Sequence, residues 1–163
     1  MAELNRILLV EDDPNDVELT VTGLAEYNLA NEVIIANDGE EALDYLFRRG
    51  KFAGRSGGNP AVVLLDLKLP KVGGLEVLRS MKSDERLRLV PVVILTSSRE
   101  ERDMVNGYQM GVNSYIQKPV DFAQFREIIK QLGLYWLVVN QAPPSQAFAS
   151  DPETSPSGDT RAR

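Results

Sequence analysis

Two hydrophobic patterns alternate along residues 5 to 139. Short runs rich in Ile, Leu and Val alternate with longer segments whose apolar residues recur every three or four positions. The short runs predict five β-strands, which are Arg6 to Val10, Glu32 to Ala36, Ala61 to Leu65, Val92 to Leu95 and Ser114 to Gln117. The first, third and fourth are almost continuously apolar, as is typical of parallel strands buried on both faces. The second and fifth are polar enough for sheet edges.

The longer segments predict amphipathic helices. The apolar stripe of the first helix consists of Val17, Val21 and Leu24, and that of the last consists of Phe122, Phe125, Ile129, Leu132 and Trp136. The first helix is predicted to begin after Asp13, with Pro14 at the first helical position and Asp16 at the third, and Asp121 is the expected N-cap of the last helix. Five strand-helix units predict a doubly wound α/β fold in three layers with right-handed crossovers.

The length of the chain suits one domain with a sizeable core, which we expect to span residues 1 to 140. Residues 50 to 60 are rich in glycine and are predicted to form a loop. Residues 141 to 163 are rich in Pro, Ser, Ala and Thr, with a single Phe. Because such a segment buries too little apolar area to offset the entropy of ordering, it is predicted to be a disordered tail.

The sequence contains neither cysteine nor histidine. This excludes disulfides, thiolate nucleophiles and imidazole catalysis, and it means that any metal is held by oxygen ligands, as Mg²⁺, Ca²⁺ and Mn²⁺ are. The net charge of -6 argues against nucleic-acid binding, so the basic residues between Arg48 and Arg55 are expected to lie in a solvated loop. Short apolar runs and an N-terminus unlike a signal peptide indicate a cytoplasmic protein that does not bind membranes.

Polar residues are predicted at the carboxyl ends of the strands, where ligands bind in parallel α/β sheets. They are Glu11, Asp12, Asp66, Thr96 and Lys118. Taken singly, Asp66 could be a turn residue, Thr96 could cap the next helix with Ser97 and Ser98, and Lys118 could be an exposed lysine. Their occurrence at one edge of one sheet favours a functional site over separate coincidences.

Electrostatics indicates what such a site holds. Three carboxylates about 5 Å apart repel one another by roughly 3 kcal/mol per pair at an effective dielectric constant of about 20. A lysine offsets part of this repulsion, and a divalent cation offsets more; carboxylates with open water positions suit Mg²⁺. A metal ion, a lysine and a hydroxyl around a carboxylate form a phosphoryl-transfer site, with Asp66 as nucleophile because histidine and cysteine are absent.

At these residues the chain resembles the receiver domain of two-component response regulators, the CheY-like family. The matching segments are VEDD at 10 to 13, LLDLKLPKVGGLEVL at 64 to 78, PVVILTSS at 91 to 98 and GVNSYIQKP at 111 to 119. The resemblance covers residues 5 to 139 and implies a sheet of strand order 2-1-3-4-5. It also implies that Asp66 accepts a phosphoryl group from a phosphohistidine of a sensor histidine kinase.

The resemblance further implies a role for each matching residue. For the metal, Asp12 would be a direct Mg²⁺ ligand, Glu11 would act through water, and Asp66 and the backbone carbonyl of Lys68 would also bind the ion.

Thr96 and Lys118 would bind the oxygens of the phosphoryl group. The side chain of Tyr115 would turn inward on activation. The bond between Lys118 and Pro119 is usually cis in such proteins. Lys68 stands beside the phosphoacceptor, where a long side chain can obstruct the water that hydrolyses an acyl phosphate.

A narrower resemblance links the chain to single-domain regulators of cyanobacterial and bacterial phytochrome kinases. It rests on ALDYLFRRGKF at 42 to 52, the long loop before the third strand, and KPVDFAQFREIIKQLGLYWLVV at 118 to 139. It implies a homodimer through the face formed by helix 4, strand 5 and helix 5. The surplus apolar residues of the last helix agree with this, unless they make capping contacts on the monomer; they are Leu134, Tyr135, Leu137, Val138 and Val139.

Two alternatives stand beside this interpretation. A phosphatase of haloacid-dehalogenase type needs an acid two residues after its nucleophile, where this chain has Lys68, and it needs a cap domain. A degenerate receiver acting only as a docking module would not require the complete set of polar strand-end residues. We therefore expect a protein that catalyses only its own phosphorylation and dephosphorylation, and whose output is a protein contact or phosphate relay because no second domain follows residue 140.

Overall fold

The computed structural model describes residues 6–26, 32–97, 100–119 and 121–141, in which strands and helices alternate. The elements are β1 (Arg6–Val10), α1 (Pro14–Glu26), β2 (Glu32–Ala36), α2 (Gly39–Phe47), β3 (Val62–Leu65), α3 (Gly74–Lys82), β4 (Val92–Thr96), α4 (Glu101–Gln109), β5 (Ser114–Gln117) and α5 (Phe122–Gly133). A 3₁₀ turn, Gly50–Phe52, follows α2, and a π-helical segment, Leu134–Val139, continues α5. The predicted strands are confirmed, except that β3 starts one residue later and β4 ends one residue later.

All five strands are parallel and lie in the order β2-β1-β3-β4-β5, which confirms the predicted topology. This order places β1, β3 and β4 in the centre of the sheet, and almost every residue of these strands is buried. The edge strands β2 and β5 are mostly half-buried. Burial of this extent is typical of central parallel strands that helices cover on both sides.

Two core clusters lie on opposite faces of the sheet. In β1, Leu8 and Val10 point into the cluster beneath α2 and α3, and Ile7 and Leu9 point into the cluster beneath α1 and α5. Strands β3 and β4 divide their side chains in the same alternating way. The molecule therefore has the three layers expected of a doubly wound fold.

The apolar stripe predicted for α1 is rotated from the face that the helix buries. Thr20, Gly23 and Leu24 are buried, whereas Val17 and Val21 are half-buried at the margin of the cluster. The cause is the close packing of α1 on α5, since a Cβ at position 23 would lie 3.1 Å from a side-chain carbon of Ile129. Small residues therefore occupy the centre of this contact.

The prediction for α5 is wrong at its first residue. Phe122 is 68% exposed, because it lies in the first turn beyond the core, while Phe125, Ile129 and Leu132 are buried as expected. Asp121 is the N-cap, and its side chain accepts a hydrogen bond from the backbone N–H of Gln124 at 3.0 Å.

Four of the five surplus apolar residues predicted near the end of the last helix are exposed on the π-helical segment. The exposed residues are Leu134, Tyr135, Val138 and Val139. Leu137 is half-buried and packs with Trp136 against the second core cluster.

The basic residues after α2 are mostly exposed, as expected, and two of them also hold the following loop. The guanidinium of Arg55 lies 3.9 Å from the ring centre of Tyr45 and donates to the carbonyl of Tyr45 at 2.8 Å. Arg48 donates to the carbonyls of Arg55 and Gly57. Guanidinium groups satisfy the carbonyls of a loop that has little apolar area of its own.

Two glycines let the loops at the carboxyl edge of the sheet approach each other. A Cβ on Gly74 would overlap the backbone carbonyl of Asp66, and one on Gly39 would overlap the carbonyl of Val72. The N–H of Gly74 also donates to the carbonyl of Leu67 at 3.0 Å. The loop that follows β3 is therefore fixed on both sides.

The predicted tail from residue 142 onward lies outside the described residues. Within the described ranges, no helix is both long enough and apolar enough to span a bilayer.

Candidate functional site

The predicted strand-end residues meet at the carboxyl edge of the sheet. Glu11 and Asp12 directly follow β1, and Asp66 directly follows β3, its neighbour in the sheet. The backbone ladder continues past the strands, because Glu11 donates to the carbonyl of Ala36 and Asp66 donates to the carbonyl of Val10, each at 3.0 Å. Glu11 and Asp66 are therefore held by backbone hydrogen bonds in positions from which their side chains leave the same edge.

Three carboxylates form the only group among the described residues with the spacing of a metal site. One oxygen each of Glu11, Asp12 and Asp66 lies within 4.8 Å of the others. Glu11 and Asp66 are buried, whereas Asp12 is exposed. The group thus combines a protected interior with an open side that water or a ligand can reach.

Lys118 joins this acidic group from the end of β5. Its ammonium donates to Glu11 at 2.5 Å, Asp16 at 2.9 Å and Asp66 at 3.0 Å. The side chain of Lys118 is only 8% exposed, so the alternative of an exposed surface lysine is wrong. Its backbone N–H donates to the carbonyl of Thr96 at 2.7 Å, which fixes where the side chain starts.

Asp16 is the site residue that sequence reasoning missed. The sequence pattern indicates only an acid in the first turn of α1, yet its carboxylate binds Lys118. It lies four residues before Thr20 and eight before Leu24, both buried, and so belongs to the inward face of the helix. The sequence feature that could have indicated this role is the set of small and polar residues on that face. They show that α1 does not turn its most apolar stripe to the sheet.

Burial and neighbouring charges shift the pKa values of Glu11 and Lys118. Burial raises the pKa of Glu11 to about 7, the charge of Asp66 adds to this effect, and the hydrogen bond from Lys118 opposes it. For Lys118, burial alone would lower the pKa, but hydrogen bonds to Glu11 and Asp16 and the charge of Asp66 raise it above its usual value. The lysine is therefore a permanent cation in this site.

The donor set fits a hard divalent cation. Glu11, Asp12 and Asp66 offer only carboxylate oxygens, and one ammonium does not balance four carboxylates when Asp16 is included. Mg²⁺ and Mn²⁺ prefer such oxygen ligands, and Mg²⁺ commonly keeps several waters beside one or two carboxylates. Burial is the main cause of the raised pKa of Glu11, and the charge of Asp66 adds to it, so a cation bound at this group would favour the ionised form of Glu11.

Thr96 lies at the same edge, and Tyr115 lies two residues before the end of the neighbouring strand β5. Thr96 is fully buried as the last residue of β4, and α4 has Glu100 at its N-cap, so Thr96 does not cap that helix. Tyr115, in β5, packs against the first core cluster and its hydroxyl is buried.

The loop residue Lys68 and the bond after Lys118 complete the predicted set. The Lys68 side chain is exposed, and its N–H donates to Asp66 at 3.3 Å. The peptide bond between Lys118 and Pro119 is trans, in contrast to the cis bond that the resemblance implied. The trans form is the intrinsically favoured one, and with it Lys118 reaches all three of its carboxylates.

Asp13, the third acid of the VEDD segment, caps α1 as predicted. Its side chain accepts from the N–H of Asn15 at 2.9 Å, and its carbonyl accepts from the N–H of Val17 at 3.0 Å. We expect Asp13→Asn to cost about 1 kcal/mol or less of stability, because asparagine also caps helices well, and to leave Mg²⁺ affinity nearly unchanged in titration calorimetry. A loss of Mg²⁺ binding in Asp13→Asn, with binding retained in Asp12→Asn, would contradict the assignment of these neighbours.

The strand order and the polar carboxyl edge define a CheY-like α/β domain. A family model described as the response regulator receiver domain matches residues 7–130. The chain belongs to this family, and it is thus a receiver of two-component signalling. Receiver domains partner with histidine kinases, bind a divalent metal at their acidic pocket, and are generally signalling proteins and not enzymes.

Curated relatives cover most of the chain. The probable methanogenesis regulatory protein FilR2 of Methanothrix harundinacea is 42% identical over 137 residues, which are 84% of this chain and 86% of the relative. The response regulator Rcp1 of Synechocystis is 35% identical over 131 residues, which are 80% of this chain and 88% of the relative.

Solved structures agree with the fold over a similar extent. The phosphorylated cyanobacterial phytochrome response regulator RcpA is 39% identical with a TM-score of 0.82, over 88% of this chain and all of the other. The Mn²⁺-bound form of Rcp1 has a TM-score of 0.81 at 34% identity, over 86% of this chain and 99% of the other. The bacteriophytochrome response regulator AtBRR is 58% identical with a TM-score of 0.69, over 86% of this chain and all of the other.

Proposed function

We propose that this receiver accepts a phosphoryl group on Asp66 from the phosphohistidine of a sensor histidine kinase, with Mg²⁺, and thereby switches a protein-protein interaction face. One observation carries the proposal. The buried carboxylate of Asp66 lies 3.0 Å from the ammonium of Lys118 and shares an acidic group with Glu11 and Asp12. A nucleophile, a cation in a fixed position and carboxylates that can bind a metal therefore lie next to one another.

The proposed chemistry is an in-line displacement. A carboxylate oxygen of Asp66 attacks the phosphorus, the P–N bond of the phosphohistidine breaks, and the imidazole leaves with the electron pair. The product is an acyl phosphate with a charge of about -2. Lys118 holds a phosphoryl oxygen, and the Thr96 hydroxyl donates to another.

Glu11, Asp12, Asp66 and the backbone carbonyl of Lys68 would hold the Mg²⁺ ion. The ion would supply positive charge that neutralises the phosphoryl oxygens in the transition state. The oxygen-only donor set and the Mn²⁺-bound form of the relative Rcp1 support this assignment.

Phosphorylation of the isolated protein tests the proposal. We expect incubation with Mg²⁺ and either acetyl phosphate or a phosphohistidine donor to add one base-labile phosphoryl group, detected by mass spectrometry. Asp66→Asn should remove the gain completely, and chelation of Mg²⁺ should suppress it. Absence of the gain with both donors would instead favour the degenerate receiver that acts only as a docking module.

The signal would travel from Asp66 to the face formed by α4, β5 and α5. Movement of the Thr96 hydroxyl toward the phosphoryl group would open space for Tyr115, and the two side chains would bias that face between two arrangements. This path is supported by the position of Thr96 at the end of β4, next to the strand that carries Tyr115.

A phytochrome-type kinase is the partner that we propose. The support is similarity to regulators whose names refer to phytochromes, including AtBRR at 58% identity. A phosphotransfer profile against the histidine kinases of the host tests this assignment. Preferential transfer from a kinase without a phytochrome sensor would overturn it and leave the phosphoryl-transfer function intact.

A homodimer through the α4-β5-α5 face is part of the proposal. Exposed apolar side chains lie on α4 and on the π-helical segment that continues α5, and larger patches of this kind mark interaction sites. They are Met104, Val105 and Tyr108 on α4, and Leu134, Tyr135, Val138 and Val139 after α5.

Val138→Glu is expected to shift the protein toward monomer in sedimentation velocity, because it places a charge in the contact. Arg79→Glu is a matched control on the exposed side of α3 and should not change the oligomeric state. Identical sedimentation of the wild type and Val138→Glu would assign the exposed apolar residues to the monomer surface.

Lys68 is expected to prolong the lifetime of the acyl phosphate. Its exposed side chain begins two residues after Asp66 and can obstruct the attacking water. Lys68→Asn should therefore speed autodephosphorylation severalfold, measured as loss of the phosphorylated mass after removal of the donor. Lys71→Asn is the matched control, because Lys71 lies in the same loop with a positive φ that asparagine tolerates; equal decay of both variants would exclude the effect.

A further inference from the structure

We infer that Asp16 is a positioning residue for phosphoryl transfer, and that it holds the ammonium of Lys118 in place through its carboxylate. The inference rests on the proposed phosphorylation of Asp66. Asp16 lies in the first turn of α1, and its oxygen is 2.9 Å from the nitrogen of Lys118. The residues that the receiver family supplies at the strand ends do not include it.

The hydrogen bonds of Lys118 are fully used in the structure. A lysine ammonium has three N–H donors, and Lys118 has three carboxylate partners, Glu11, Asp16 and Asp66. Any phosphoryl oxygen that binds Lys118 must therefore replace one of these partners. The question is which partners remain to fix the ammonium at that moment.

The three partners have different fates in the reaction. Asp66 becomes an acyl phosphate, so it gives up the charge that attracts the lysine. Glu11 belongs to the carboxylate group that fits a metal, and a cation in that group would compete for its oxygens. Asp16 is outside the group that has metal spacing, so it is the partner that neither the reaction nor the cation removes.

The structure gives Asp16 the rigidity that this role requires. Its carbonyl accepts from the Thr20 hydroxyl at 2.8 Å, and α1 is anchored by buried Thr20, Gly23 and Leu24. Its side chain is 26% exposed, so water can reach the carboxylate without displacing the lysine. A carboxylate on a packed helix holds a flexible four-carbon side chain better than solvent does.

Loss of this contact should act on the rate of transfer and not on metal binding. Without Asp16, the ammonium keeps only partners that are themselves altered during the reaction, and a displacement of about 1 Å at a reacting centre can cost on the order of 100-fold in rate. We therefore expect Asp16→Ala to be phosphorylated by acetyl phosphate at least about tenfold more slowly than wild type at saturating Mg²⁺.

Asp16→Asn and Asp13→Asn separate positioning from charge. Asp16→Asn retains an acceptor oxygen and should recover part of the lost rate. Asp13→Asn removes one negative charge from the same turn without touching Lys118, and it should react at the wild-type rate. Titration calorimetry with Mg²⁺ alone should give Asp16→Ala an affinity equal to that of Asp13→Asn.

A second readout follows the lysine directly. In nitrogen-15 NMR of the unphosphorylated protein, the ammonium protons of Lys118 should exchange with water faster in Asp16→Ala than in Asp13→Asn. Equal phosphorylation rates for Asp16→Ala and Asp13→Asn would overturn the inference, as would a slow rate explained by weaker Mg²⁺ binding. Failure of the wild type to be phosphorylated would instead contradict the proposed function, so the two failures are distinguishable.

Discussion

Lys118→Met is expected to lower the free energy of unfolding of the metal-free protein by about 3 kcal/mol, since removing one partner of a buried ion pair typically costs 3–5 kcal/mol. The variant leaves Glu11, Asp66 and Asp16 without the cation that each of them contacts. We place the expected value at the low end because Asp16 and Asp12 reach solvent. Urea unfolding in the presence of a chelator measures the change.

Two variants keep this expectation testable. Lys68→Met removes an exposed lysine near the same site and should change stability by no more than about 0.5 kcal/mol. Adding Asp66→Asn to Lys118→Met should restore part of the loss, because one of the unbalanced carboxylates becomes neutral. If Lys118→Met were as stable as Lys68→Met, the carboxylates would not depend on the ammonium for their tolerance of burial.

The metal-free protein is expected to lose stability as the pH rises from 4.5 toward 7, owing to Glu11. Folding raises the pKa of this carboxyl from 4.5 to about 7, mainly through burial. The folded state therefore keeps a proton that the unfolded state releases, and the stabilisation is complete below pH 4.5 and lost by about pH 7. At about 1.4 kcal/mol per pKa unit, the loss is roughly 3 kcal/mol.

Comparison of the wild type with Glu11→Gln isolates this contribution from other carboxyl groups. The difference in the free energy of unfolding between the two proteins should change across this pH range, whereas Lys118 stays protonated throughout and adds no slope. Saturating Mg²⁺ should reduce the slope of the wild type, because the ionised carboxylates then gain a cation. A difference that is constant with pH would contradict the raised pKa.

The sequence predicted the sheet well because burial on both faces leaves a strong signal. The central strands β1, β3 and β4 are almost fully buried, and nearly all of their residues are apolar. Their ends then determine where Glu11, Asp66 and Thr96 lie, since side chains at the carboxyl ends of neighbouring parallel strands share one edge. The strand-end residues could therefore be predicted from the sequence.

The face that a helix turns toward the core could not be predicted from the sequence in this way. Asp16 reaches Lys118 because α1 turns Thr20 and Gly23 inward, and this rotation is set by the fit of Gly23 against Ile129 on a helix more than a hundred residues later. Phe122 is a similar case, since a stripe in the sequence does not reveal where the core ends. Contacts between distant segments decide both questions.

The glycines beside the β3 loop bear on how tolerance to substitution would be interpreted. Gly39 and Gly74 carry no functional group, yet any side chain there would collide with the backbone of Val72 or Asp66. A saturation screen for signalling would therefore rank both glycines with Asp66, the proposed phosphoacceptor. In this protein, a position that tolerates no substitution can be a close contact between two backbone segments as well as a residue of the proposed reaction.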